Sequence, residues 1–517
     1  MGGTMNSKFV IAVGAIAAAF AVKAEIKLAA PFADGMVLQR GREVPVWGKA
    51  EPGRKVTVAF GDAEVATIAC AKGCWKVALP AMEASKESRT LTVTESEIGW
   101  LWDSELSSVE VKDVLVGEVW MCSGQSNTDC PIWSPGGVRY RDGQGALALQ
   151  MTMKPFVRYV KTPHAWDAEP KKDIKVQWMK ATPEMFELCR KGARMPSAMG
   201  YYFALELANS LDIPVGLVDS SVGGTNIDSW TPNSGYAGIS GLDGERDWKT
   251  VGAKEWKDSM RKGPVSGGIQ QPRALWNGMV AAYVPMACRG FIWYQGCHNN
   301  AEADRYCAKM HALYNGWKTE FKNPDLKLYF VELAPYKCSW FNIHKSQAKF
   351  AAEEPNAGMV SICDVGNISD IHPNDKRTVG KRLTALALKR DYGFTSLRAD
   401  CPTFKSAKAE GAKMILSFND VESWYVYNTT IGDPAVGFEL AGADGAFKPA
   451  KLDNIAMAKG RDGKPTFRGA VNGKDLVLVA DGVAAPKKVR YLYQAPYCGS
   501  LFNESSLPLG SFEAEVK

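Results

Sequence analysis

A serine hydroxyl becomes a useful nucleophile only when a neighbouring base takes its proton, so the residues that matter first are serines that a histidine can reach. Ser123-Gly124-Gln125-Ser126-Asn127 follows directly on Val111 to Cys122, a nearly continuous apolar run of the kind buried on both faces of a parallel sheet. Catalytic groups in open α/β sheets gather at the carboxyl ends of strands, which is where Ser126 falls. Serine before a helix is also a common cap, and on spacing alone that reading of Ser126 takes precedence.

The base must come from His164, His298, His311, His344 or His372. Only His372 has supporting surroundings: Asp364 to Pro373 forms a polar loop between an expected strand, Gly358 to Cys363, and a helix starting near Lys376. A carboxylate that holds one ring nitrogen fixes the tautomer and supports the imidazolium formed during attack. Asp370 is the nearer candidate and Asp364 the second; Asp370 and Asn367 can also simply order a polar turn.

Acyl transfer further requires donors aimed at the developing oxyanion. The segment Ser220-Ser221-Val222-Gly223-Gly224-Thr225-Asn226 follows a strand, and Gly290 to Gly296 delivers Gln295 at the end of another. Glycine pairs after strands are usually turns. Four polar motifs that each terminate a strand of one sheet are a stronger signal than any of them singly.

The elements that must carry these motifs read as three regions. Residues 25–110 alternate apolar and polar residues in short runs broken by Pro52-Gly53 and Gly61-Asp62, the pattern of a β-domain. Residues 111–393 alternate strands with helical spacing, as in Ser197 to Leu211 and Tyr306 to Phe321, which predicts a three-layer α/β domain. Residues 394–517 return to alternation and predict a C-terminal β-rich region.

At the start, Lys8 precedes the apolar run Phe9 to Val22 and the small-residue pattern Val22-Lys23-Ala24. This predicts a signal peptide over residues 1–24, hence a secreted or periplasmic protein with no stable membrane insertion after cleavage. Cleavage takes two lysines and no acidic residue, so the formal charge falls from +6 to +4. That balance, with no basic run interleaved with aromatics, excludes a nucleic-acid partner. The twelve cysteines all lie beyond Ala24, which makes some disulfides plausible in an exported chain. There is no Cys-x-x-Cys pair and no two histidines sit at ligand spacing on a helix, so neither a metal nor a cofactor is expected.

Gly124-Gln125-Ser126-Asn127, Ser220 to Thr225, Trp293-Tyr294-Gln295-Gly296 and Asp370-Ile371-His372-Pro373 together resemble the sialate O-acetylesterase family of SGNH hydrolases. Gly35 to Arg40, Val44 to Gly48, Leu275 to Met279 and Leu501 to Pro508 extend the resemblance over nearly the whole mature chain. It implies a flavodoxin-like three-layer α/β/α catalytic domain with flanking β-rich domains, acting on an O-acetylated carbohydrate through an acyl-enzyme. Position by position it implies Ser126 as nucleophile, His372 as general base, and an oxyanion hole from the backbone at Ser126 and Gly224 and the side chain of Gln295. Asp370 is the expected orienting acid, although it stands two residues before the histidine where many relatives have aspartate three before; here that position is Ser369.

Asn127, Asn226, His298 and Arg273 are the candidate substrate contacts, and Arg139, Arg141 and Arg273 are the cations available to a sialate carboxylate. After Gln295-Gly296 the family commonly continues Glu-Ser-Asn, whereas this chain has Cys297-His298-Asn299. Cys297 then reads as a buried small hydrophobe, half of a disulfide or a replacement that weakens activity. Two alternatives stay open: an acetyl xylan or other plant-polysaccharide acetylesterase, and a non-catalytic carbohydrate-binding protein on a decayed esterase scaffold, with sixteen tryptophans available for stacking on sugars. The sequence sets no oligomeric state.

Overall fold

The computed structural model describes residues 26–99, 102–132, 154–182, 184, 195–242, 268–427, 437–459, 465–494 and 499–516. The expected signal peptide, Arg139 and Arg141 lie outside the described residues.

The central sheet is built from β1 (Ser104–Gly124), β2 (Lys154–Lys161), β3 (Met179–Ala181), β4 (Val215–Ser221), β5 (Gly290–Tyr294), β6 (Lys327–Val331) and β7 (Ala357–Val360). Its order is β3-β2-β4-β1-β5-β6-β7, parallel throughout except for the antiparallel edge strand β3. Without the outboard pair β2 and β3, the order is that of flavodoxin-like folds, 2-1-3-4-5. β4 and β5 are buried at every position, as apolar strands covered on both faces must be.

The helices are α1 (Ser126–Asp129), α2 (Ala198–Leu211), α3 (Ala303–Glu320), α4 (Phe341–Glu353) and α5 (Lys376–Asp391). Tyr329 and Phe330 are successive residues of β6 and so point to opposite faces. The Tyr329 hydroxyl donates to Asp391 of α5 at 2.6 Å, while the Phe330 ring meets Phe350 of α4 at 5.7 Å, which puts α4 and α5 on opposite sides of the sheet. Ser197 caps α2, its hydroxyl accepting from Gly200 N–H at 3.1 Å. The sequence pattern predicts α2, α3 and α5 to within a few residues. The surroundings of His344 also read as helical, and they form α4.

The expected boundary between residues 110 and 111 falls inside a single strand. β1 spans 21 residues: its first half pairs with the N-terminal strand Ser85–Glu97 and its second half with β4 and β5. The apolar core is correspondingly continuous from Ile26 to Leu388. The C-terminal region has three four-stranded antiparallel sheets around a core of its own, centred on Leu416, Trp424 and Tyr491. It docks on α4 and the β7 end, where Ser511 Oγ lies 2.8 Å from His344 Nδ1 and the Cys363 thiol donates to the Leu509 carbonyl. Burial lowers the His344 pKa.

No disulfide joins any two of the ten described cysteines, so the expected disulfides are not formed among them. No helix among the described residues is long and apolar enough to cross a membrane.

Candidate active site

β1 is flanked on both sides by strands that follow it in the chain, so its carboxyl end is the topological switch point where ligands of open α/β sheets bind. The turn that leaves it depends on Gly124, at φ 139°. A Cβ there would lie 2.4 Å from the Tyr294 carbonyl oxygen and 2.5 Å from Thr128 Oγ1, so only glycine fits. The cap position of α1 belongs to Gln125, and Ser126 is the first helical residue. The cap reading of Ser126 is thereby overturned: its hydroxyl faces His372, with 2.8 Å between Oγ and Nε2.

Asp370 Oδ1 lies 3.3 Å from His372 Nδ1 and also accepts the His372 backbone N–H at 2.9 Å. One carboxylate therefore both orders the turn and faces the imidazole. Asp364 is committed elsewhere, since its two oxygens accept both Arg382 terminal nitrogens at 2.7 Å each.

The Ser126 and Gly224 N–H groups find no acceptor among the described residues. Gly224 sits at φ 72° with open space on its Cβ side, and its carbonyl accepts from the Gln270 side chain. A cleft of about 530 Å³ exposes Ser126, His372, Gly223, Gly224, Cys297 and His298 to solvent.

Four expectations change at this point. Gln295 is fully buried; its amide nitrogen donates to Thr225 O at 3.0 Å and Asn299 Oδ1 at 2.7 Å, and its oxygen accepts from the Tyr306 hydroxyl at 2.7 Å. The amide orientation follows from the network, because Asn299 Oδ1 already accepts Ile227 N–H and must therefore be an oxygen. With both hydrogens used, Gln295 is not an oxyanion donor but a brace for the Gly224-Thr225 segment.

Asn127 is buried rather than facing substrate: its nitrogen donates to the Ile371 carbonyl at 3.0 Å and its oxygen accepts Lys376 Nζ at 2.7 Å. Asn226 is likewise used internally, accepting from Ser229 N–H and Oγ–H and donating to the Gln270 carbonyl. Arg273 lines a separate crevice of about 1200 Å³ between the N-terminal strands and the central domain, where it donates to Asn233 Oδ1 at 3.1 Å. His298, by contrast, is exposed in the cleft itself. Cys297 lines the same cleft as a free thiol, and burial, with the nearby Cys338, pushes its pKa up to about 12.

The sequence assigns no role to three further participants. Gln125 accepts Gly296 and His298 N–H groups through Oε1 and lines the cleft. Asp129, also in the cleft wall, accepts Lys161 Nζ at 2.6 Å and lies 3.4 Å from His164 Nε2. Burial alone would raise the Asp129 pKa, but Lys161 and His164 hold it well below the usual carboxylate range. Lys161 also donates to Asp219 and Ser221 at the end of β4, so the pair ties α1 to the neighbouring strand. Among the described residues the one set with metal-ligand geometry is Cys307, His311 and Glu353, away from this cleft.

Residues 116–389 match the family model described as carbohydrate esterase, sialic acid-specific acetylesterase. The human sialate O-acetylesterase is 26% identical over 398 residues, 71% of each chain, and the mouse enzyme 25% identical over 432 residues, covering 74% of this chain and 76% of its own. A carbohydrate acetylesterase from Xanthomonas citri superposes with a TM-score of 0.75 at 30% identity, covering 95% of this chain and all of that one. A strand-end serine facing a histidine and a family match that runs from the second half of β1 into α5 lead to one assignment: the chain belongs to the sialic acid-specific acetylesterase family of carbohydrate esterases.

Proposed function

We propose that this chain is an exported serine esterase that removes O-acetyl groups from a carbohydrate through an acyl-enzyme. The observation that carries the reading is the 2.8 Å contact between Ser126 Oγ and His372 Nε2 at the mouth of a solvent-open cleft. For Nε2 to accept the serine proton, the other ring nitrogen must carry a hydrogen; Asp370 Oδ1, 3.3 Å from Nδ1, favours that tautomer and the imidazolium that follows.

Ser126 Oγ attacks the acetyl carbonyl while His372 takes its proton. The negative charge that develops on the carbonyl oxygen falls to the N–H groups of Ser126 and Gly224, with the Gln125 amide NH₂ as the third donor in place of Gln295. Collapse expels the sugar oxygen, which takes the proton from His372, and leaves acetyl on Ser126. Water, deprotonated by the same histidine, releases acetate and restores the serine. On this reading the acetyl group lies against Gly223, Gly224 and Cys297, and His298, exposed in the same cleft, meets the sugar.

The test is acetate release from acetylated sialosides, xylans and aryl acetates. Ser126→Ala is expected to lower kcat by at least about a thousandfold with glycan binding retained. Full turnover by this variant refutes the reading, and glycan binding without acetate release by the wild-type chain establishes the binding-protein alternative instead.

A further inference from the structure

Cys307 and His311 lie one turn apart on α3, and Glu353 is the last residue of α4, so two neighbouring helices converge their side chains on one point. Glu353 Oε2 lies 3.5 Å from Cys307 Sγ and 3.0 Å from His311 Nε2, and all three ligand atoms fall within 4.8 Å of one another. A tetrahedral zinc ion with bonds of about 2.3 Å to sulfur and about 2.0 Å to nitrogen and oxygen has edges of about 3.5 Å between sulfur and oxygen and about 3.3 Å between nitrogen and oxygen. The two separations that involve Glu353 Oε2 are close to those edges. We propose that Cys307, His311 and Glu353 form a binding site for a thiophilic divalent cation of the zinc class that bridges α3 to α4.

The chemistry of the set fits such an ion. Thiolate, imidazole and carboxylate are the ligands zinc takes in proteins, and three of them leave the fourth position to water. Cys307 is buried while Glu353 is exposed, so the sulfur is sheltered and the ion enters from solvent past the carboxylate. Binding releases the Cys307 Sγ proton to solvent as the sulfur–metal bond forms, without any change of oxidation state. A bound ion has a local consequence as well. Tyr306, next to Cys307, orients Gln295, so pinning α3 to α4 steadies the brace beneath the catalytic cleft.

Without a cation, Glu353 Oε2 simply accepts hydrogen bonds from the thiol and the imidazole, and cobalt separates the two situations. Co²⁺ added to the full chain is expected to bind with a sulfur-to-cobalt charge-transfer band that is lost in Cys307→Ser, and Zn²⁺ to displace it and raise Tm by about 2 °C or more. Cys70 and Cys74 are exposed thiols at the turn between the N-terminal strands Ala63–Ile68 and Cys74–Leu79, so the titration is repeated in a Cys70→Ser/Cys74→Ser background, where the band must remain. If Cys307→Ser does not fold, Glu353→Gln decides, with at least about a tenfold loss of cobalt affinity expected. No charge-transfer band in the wild-type chain, a band that survives Cys307→Ser, or one that disappears with Cys70 and Cys74 overturns the proposal. Esterase activity plays no part in these readouts.

Discussion

The Asn127 side chain donates to the carbonyl of Ile371, 3.0 Å away, so the residue after the nucleophile holds the residue before the base. Lys376 completes the clasp by donating to Asn127 Oδ1 and to the Pro373 carbonyl. The separation between Ser126 and His372 is therefore set by buried hydrogen bonds on either side of the reacting pair. Asn127→Leu is expected to cost about 1–3 kcal/mol of stability and to lower kcat by about a hundredfold. Steady-state kinetics should show KM changing far less than kcat; a variant with wild-type kcat shows that the clasp does not position the pair.

Asp370 and Asp364 are separable by experiment. Asp370→Asn keeps the shape but loses the charge facing His372, and kcat is expected to fall by at least about tenfold, less than for a fully buried triad acid because this side chain is 37% exposed. Asp364→Asn breaks the paired contact with Arg382, which predicts a loss of about 3 kcal/mol in stability with kcat per folded molecule unchanged. Reversed outcomes make Asp364 the orienting acid.

Gln295→Met removes three buried hydrogen bonds and strands the Thr225 carbonyl, while Asn299 Oδ1 keeps the Ile227 N–H and the Tyr306 hydroxyl keeps the Gln295 backbone carbonyl. A Tm drop corresponding to about 3 kcal/mol is expected, with a smaller change in kcat of the folded fraction. If thermal denaturation is unaltered and kcat falls by a hundredfold or more, the side chain is an oxyanion donor after all.

Asp113 provides a pH test. Burial alone would raise its pKa, but hydrogen bonds from Arg158 and Lys180 hold it down to about 2. A carboxyl depressed in the folded state stabilises above its unfolded value of about 3.9 and loses that contribution as pH falls toward 2. Asp113→Asn suits the left-handed backbone at φ 58°. Its unfolding free energy from urea titration should lie below the wild-type one by about 2 kcal/mol at pH 7, with the gap constant down to about pH 4.5 and narrowing below. A gap independent of pH shows that the ion pair contributes nothing.

The sheet, the strand-end motifs and the Ser126–His372 pairing are legible in the sequence because each rests on local signals: an apolar run, then glycine and polar residues. What is not legible depends on partners remote in the chain. Nothing near Asp364 shows that Arg382, 18 residues on, captures it, and nothing near Gln295 shows that Thr225, Asn299 and Tyr306 consume its amide. Asn127 reads as a substrate contact until Ile371 and Lys376 close around it. The Cys307-x-x-x-His311 spacing gains meaning only when α4 brings Glu353 alongside.

The strand Ser104–Gly124 acts as a common beam: one end is woven into the N-terminal sheet and the other carries the turn into Ser126. The N-terminal region is therefore not an appendage that can be trimmed or exchanged. Deleting it strips the pairing partners from half of the beam, so the region should melt together with the catalytic centre in one cooperative step, while the C-terminal sheets, with their separate core, are free to lose structure on their own.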